Sequence, residues 1–199
     1  MPRLKVCGIT DAAFAVEAAR RGADYLGFVF AEGSPRRVSP DFARSVVKAV
    51  SGPRFVGVFA GLAPDEVLRI AEGVPLDVVQ LHGDYDAKAV AMLKQHGFEV
   101  WRLDGGGGSA GEDATLVDGS DGKRHGGTGR IADWSRVAEL KRSGRRVVLA
   151  GGLSAANIGS AAATGADVLD VNSSIETSPG NKSVERLDEL VRKLVYYCS

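Results

Sequence analysis

Three side chains in this chain suit proton transfer and anion binding by their chemistry and their placement. The Cys7 thiol closes the run Leu4-Lys5-Val6-Cys7, just before Gly8-Ile9-Thr10, and the Asp118 carboxylate closes Ala114-Thr115-Leu116-Val117. Two groups of unlike proton affinity can work as a base and an acid on one substrate. Arg36 lies in a polar loop, 31–39, where a guanidinium can hold an anion by paired hydrogen bonds. Gln80 and His82 end the apolar run 78–82, and Asp170 and Asn172 end 168–172. Gly151-Gly152 and Asn172-Ser173-Ser174 each follow an apolar run, and small residues there let backbone N–H groups approach a phosphate.

These groups need elements to bring them together. Period-two alternation puts Lys5 and Cys7 on one face of a first strand and Leu4 and Val6 on the other. Helical spacing, Gly stops and Pro starts predict helices over 12–21, 40–50, 64–71, 86–96, 133–142, 155–164 and 183–197, with Thr10 as first N-cap and Asp11 also available. Apolar runs predict strands over 25–30, 55–59, 78–81, 100–103, 114–118, 146–150 and 168–171. Gly22-Ala23-Asp24 and Gly165-Ala166-Asp167 use the same helix-to-strand turn twice. Four consecutive glycines, 105–108, stand where a fifth helix belongs, so that connection is expected to be short and degenerate. Eight strands in strict alternation with helices predict a (β/α)8 TIM barrel, trimmed, with a short or missing fifth helix; an open doubly wound sheet is the alternative. In a barrel, all the candidates above stand at the carboxyl ends of strands, where such folds bind ligands.

Each candidate also has a structural reading. Cys7 could be a small buried hydrophobe, Asp118 a turn brace, His82 a backbone partner, Arg36 and Arg37 a solvated pair, and Asp170 a partner for Lys5. Paired-ligand spacing for a metal is missing, and none is expected.

At 199 residues one domain spanning 1–199 is expected. Lys+Arg and Asp+Glu both number 25, so the charge total carries no footprint for nucleic acid or an acidic membrane. The two cysteines, Cys7 and Cys198, lie far apart, and no apolar run approaches the roughly 20 residues that span a bilayer. A cytoplasmic protein, monomer or homodimer, acting on a small phosphorylated molecule is the expectation.

The motifs Lys5-Val6-Cys7-Gly8-Ile9-Thr10, Gly27-Phe28-Val29-Phe30, Ser34-Pro35-Arg36, Gln80-Leu81-His82-Gly83, Leu116-Val117-Asp118, Gly126-Gly127-Thr128-Gly129 with Asp133-Trp134, Gly151-Gly152-Leu153 and Ser178-Pro179-Gly180 occur in an order that resembles the phosphoribosylanthranilate isomerase family along the whole chain. The resemblance implies a (β/α)8 barrel that performs a cofactor-free Amadori rearrangement in tryptophan biosynthesis. It also implies Cys7 as general base, Asp118 as general acid, Arg36 as contact for the anthranilate end, and Gly127 and Gly129 among the phosphate-binding residues. The chain departs from the family pattern after the eighth strand, where Asn172-Ser173-Ser174-Ile175-Glu176 replaces the usual Ser-Ser-Gly-Val-Glu. An indole-glycerol-phosphate synthase relative would want a catalytic lysine at the mouth, and Lys5 lies too deep for that. A phosphate-ligand sensor would not need both Cys7 and Asp118.

Overall fold

Strand β1 (Arg3–Cys7) hydrogen-bonds in parallel to β2 (Tyr25–Val29) on one side and to β8 (Val168–Val171) on the other, and that double pairing closes the sheet. The ring runs in chain order through β3 (Arg54–Ala60), β4 (Val78–His82), β5 (Glu99–Leu103), β6 (Ala114–Val117) and β7 (Val147–Leu149), giving a closed barrel. This is a computed structural model, and it describes residues 1–105, 109–118 and 134–198. Helices α1 (Ala12–Arg20), α2 (Pro40–Ala49), α3 (Pro64–Gly73), α4 (Ala87–Gln95), α5 (Ser135–Arg142), α6 (Ile158–Ala162) and α7 (Val184–Cys198) alternate with the strands. Among the described residues no helix stands between β5 and β6, as the glycine run predicts. None of the helices is long and apolar enough to cross a membrane.

The alternation in β1 sorts its side chains between two compartments. Leu4 and Val6 join the shell between sheet and helices, while Lys5 and Cys7 face the barrel interior. Tyr25, Val56, Val78, Trp101 and Val168 fill the floor of that interior, with the Tyr25 and Trp101 rings edge to face at 5.0 Å. These buried side chains fill that end of the interior, and the cavity described below lies at the strands' carboxyl ends.

Helix starts follow local chemistry with one correction. Asp11, not Thr10, caps α1: its carboxylate accepts from the N–H groups of Ala13 and Phe14. Thr10 instead donates its hydroxyl to the Gly180 carbonyl. Pro40 and Pro64 open α2 and α3 as their fixed φ favours.

The strand entrances repeat one device. Asp24, Asp77, Asp113 and Asp167 each stand just before an even-numbered strand. Their carboxylates accept from the N–H of Leu4, Phe55, Val100 and Val147, at 2.8, 2.7, 2.9 and 2.7 Å, near the start of the preceding odd-numbered strand. The two Gly-Ala-Asp turns legible in the sequence are thus half of a fourfold pattern. After β8 the chain makes a 3₁₀ turn (Ser173–Ile175) and a hairpin, β9 (Glu176–Ser178) and β10 (Asn181–Lys182), which the sequence reading did not anticipate.

Candidate active site

The parallel register sets Lys5 opposite Asp170 and Cys7 opposite Gly27. Lys5 is completely buried and donates from Nζ to Asp170 Oδ2 at 2.6 Å. Burial alone would lower the Lys5 pKa, but the Asp170 carboxylate and the Cys7 sulfur outweigh it and hold the ammonium above its ordinary value. Cys7 lies one pleat nearer the mouth. Burial pushes its thiol up, Lys5 pulls it down, and the net direction is up. Gly27 is required here for space: a Cβ on it would sit 2.9 Å from Cys7 Sγ and 3.2 Å from Lys5 Cε.

Arg36 reaches the mouth from the loop after β2, and the strap formed by β9 and β10 holds it. Its Nε and Nη2 donate to Glu176 Oε1 and Oε2 at 2.8 and 2.6 Å. Lys182 Nζ donates to the same Glu176 Oε1 at 2.8 Å and to the Asn172 carbonyl and Oδ1 at 3.0 and 2.7 Å. Burial would raise the Glu176 carboxyl, yet these two cations hold it below the usual carboxylate range. Gly8, at φ 71°, permits the cluster, because a Cβ there would lie 2.8 Å from both Arg36 Cδ and Asn172 Oδ1. Arg37, by contrast, is half exposed beside Glu32.

A cavity of about 440 Å³ opens over these groups at the carboxyl ends of the strands. Cys7, Arg36, Gln80, His82, Asp118 and Asp170 all line it, so the six candidates drawn from distant parts of the sequence meet in one place. Gly151, Gly152, Asn172 and Ser173 line it too, with Gly151 and Gly152 at φ 84° and 68°, a conformation that favours glycine. Asn157 braces that loop by accepting from Ser154 N and donating to the Gly152 carbonyl. Ser174 is the exception: it is not among the lining residues, and its buried hydroxyl has no hydrogen-bond partner among the described residues. Gly127 and Gly129 lie outside the described residues. Gln80 Nε2 and His82 Nε2 are 2.8 Å apart, leaving Gln80 Oε1, like Asp170 Oδ1, buried without a hydrogen-bond partner among the described residues. Buried acceptors of that kind are costly unless a ligand supplies donors.

Sequence reading missed Glu176 and Lys182, which reach the cavity only through Arg36 and Asn172. Two signals were available: Glu176 keeps the glutamate that ends the family pattern after the eighth strand, and an acid and a lysine flank Ser178-Pro179-Gly180, whose Gly180 turns close above Pro35.

The match to known proteins is decisive. Residues 4–193 fit the family model described as N-(5'-phosphoribosyl)anthranilate (PRA) isomerase. The chain belongs to this family. An N-(5'-phosphoribosyl)anthranilate isomerase of Rubrobacter xylanophilus is 41% identical over 207 residues, covering 98% of each chain. The crystal structure of the phosphoribosyl anthranilate isomerase from Thermus thermophilus superposes with a TM-score of 0.89 at 36% identity, covering 98% of each chain. A further phosphoribosyl anthranilate isomerase, crystallised in complex with reduced 1-(o-carboxyphenylamino)-1-deoxyribulose 5-phosphate, superposes at 0.83 with 29% identity, over 98% of this chain and 100% of that one. Members of the phosphoribosylanthranilate isomerase family are thus similar to this chain from end to end, in sequence and in barrel architecture.

Proposed function

We propose that this cavity isomerises N-(5-phosphoribosyl)anthranilate to 1-(2-carboxyphenylamino)-1-deoxyribulose 5-phosphate, with Asp118 as general acid and Cys7 as general base. The observation that carries the reading is the convergence of a thiol, a carboxylate and an arginine with two small-residue loops in one cavity closed below. Asp118 gives a proton to the ribose ring oxygen as the bond from that oxygen to C1 breaks, leaving a protonated imine at C1. The Cys7 thiolate then takes the proton from C2, and the C2–H electron pair forms the enolamine, which tautomerises to the ketone.

The remaining contacts follow from charge. The substrate is anionic at both ends, so phosphate goes to the backbone of the loops with Gly151-Gly152 and Asn172-Ser173, and the ring carboxylate goes to Arg36. Gln80 Oε1 and Asp170 Oδ1 accept from sugar hydroxyls or the bridging amine between those ends. Burial raises the Cys7 thiol, and Lys5 on the same face of β1 draws it part of the way back toward the thiolate that the second proton transfer needs. Lys5 is buried and committed to Asp170, which disfavours the alternative of a lysine acid at the mouth. A reducing, cytoplasmic setting suits a thiol that must stay unoxidised.

Complementation tests the reading. A tryptophan auxotroph lacking only this isomerase should grow when supplied with the chain and fail with Cys7→Ser at equal expression. Failure of the parent chain to restore growth, with folded protein present, would contradict the assignment.

A further inference from the structure

Arg36 spends the Nε–Nη2 edge of its guanidinium on Glu176, with bonds of 2.8 and 2.6 Å. A carboxylate arriving from the cavity therefore meets the other edge, Nη1 with the second Nη2 hydrogen, and the angle of that edge is whatever Glu176 imposes. An arginine paired with one glutamate is electrically neutral as a unit, and a neutral pair attracts an anion weakly. Lys182 changes that. Its side chain is 2% exposed and it donates to Glu176 Oε1; burial lowers its pKa and the Glu176 carboxylate opposes that, and with the ammonium protonated the trio Arg36–Glu176–Lys182 carries one net positive charge. Placing a second buried cation against an already paired carboxylate has a desolvation cost that core packing alone would not require.

The strap is also tied at its other points. The two further bonds of Lys182 go to Asn172, which lines the cavity from the loop after β8. Arg186, in the first turn of α7, donates to the Glu176 carbonyl, and Thr10 donates to the Gly180 carbonyl at the hairpin tip. The plane of the Arg36 guanidinium is thus fixed from the chain's far end, 140 residues away.

We infer that Glu176 and Lys182 are positioning residues for this reaction: Glu176 sets the plane in which Arg36 meets the substrate carboxylate, and Lys182 restores the net positive charge that the pairing would otherwise cancel. The inference rests on the reading of Arg36 as the carboxylate contact. It accounts for a buried lysine and glutamate that touch no reacting atom.

Steady-state kinetics of Lys182→Met, Arg36→Met and the double variant test it. Lys182→Met should raise KM for N-(5-phosphoribosyl)anthranilate by about tenfold, the range for a charged contact, with kcat within a few-fold. Lys182→Arg should recover most of the loss. In the Arg36→Met background, Lys182→Met should add less than about twofold, because both act through one contact. An equal penalty in both backgrounds, a loss confined to kcat, or an unchanged KM would overturn the inference. If thermal unfolding shows that Lys182→Met does not fold, Glu176→Gln with Lys182→Met is used instead. Arg36 then keeps its own charge but loses its fixed plane, so KM should still rise, by less than about twofold once Arg36→Met is present, and an unchanged KM or an equal penalty in both backgrounds would overturn the inference. The reading of Arg36 has its own readout. Arg36→Met should bind reduced product analogues with and without the ring carboxylate equally, and a preference retained for the carboxylate would refute that reading while leaving the coupling between Lys182 and Arg36 measurable.

Discussion

Cys7 and Asp118 were legible as single residues because position and chemistry agree there: each is a reactive group at the end of an apolar strand, where a barrel opens. Lys5 was legible only by its face. Its buried pairing with Asp170 yields a first prediction: Lys5→Met should destabilise the fold by about 3–5 kcal/mol, because it strands a buried carboxylate. Chemical denaturation would measure this, and Lys5→Met with Asp170→Leu should recover most of the loss; a double variant as unstable as the single one would contradict the pairing. Glu176 gives a pH prediction. Its folded pKa is depressed, so its contribution is present above the unfolded carboxyl pKa, near about 4.3, and is lost as pH falls through the folded value. Melting temperature should therefore fall less steeply below about pH 4.5 in Glu176→Gln than in the parent. Identical slopes would show that this carboxyl does not contribute. The pairing of Glu176 with Arg36 was not legible in advance, because the two lie 140 residues apart and no local pattern connects them.

Among the elements, strands and helices were read from period and punctuation, and the lack of a helix between β5 and β6 among the described residues from the glycines there. The errors occurred where tertiary contact overrode local rules. Thr10 can cap a helix by type, though less well than Asp11, and the hairpin recruits its hydroxyl and leaves α1 to Asp11. The hairpin itself is two short strands with little alternation to detect. Gly27 shows how one element serves another: it looks like a weak residue in β2, yet it makes room for the thiol of β1. Gly27→Ala should cost about 1–3 kcal/mol by overpacking and, by tilting Cys7, lower kcat by roughly tenfold or more. Rate and stability measured together would show this, and a parental kcat in the alanine variant would mean that the thiol tolerates displacement.

For the whole molecule, closure of the barrel explains why residues 7, 36, 80, 82, 118 and 170 meet although, of these six, only 80 and 82 are near one another in sequence. The same closure is reinforced on the opposite face by Asp24, Asp77, Asp113 and Asp167, each tying one strand to the next. The sequence disclosed two of these turns because they repeat Gly-Ala-Asp, and hid the other two because only the aspartate recurs. Asp77→Ala should destabilise by about 1–2 kcal/mol through the unsatisfied Phe55 N–H, with turnover unchanged because the site lies at the other end. Denaturation midpoints within error of the parent would remove this tie from the account.

The central claim is that a barrel-mouth thiol and carboxylate move the two protons of the isomerisation. Turnover of N-(5-phosphoribosyl)anthranilate by the purified chain, beside Cys7→Ala and Asp118→Asn, tests it most directly. The account predicts measurable isomerisation by the parent and a loss on the order of 10²-fold or more in kcat for each variant, with parental melting behaviour. Either variant turning over within a few-fold of the parent would contradict it.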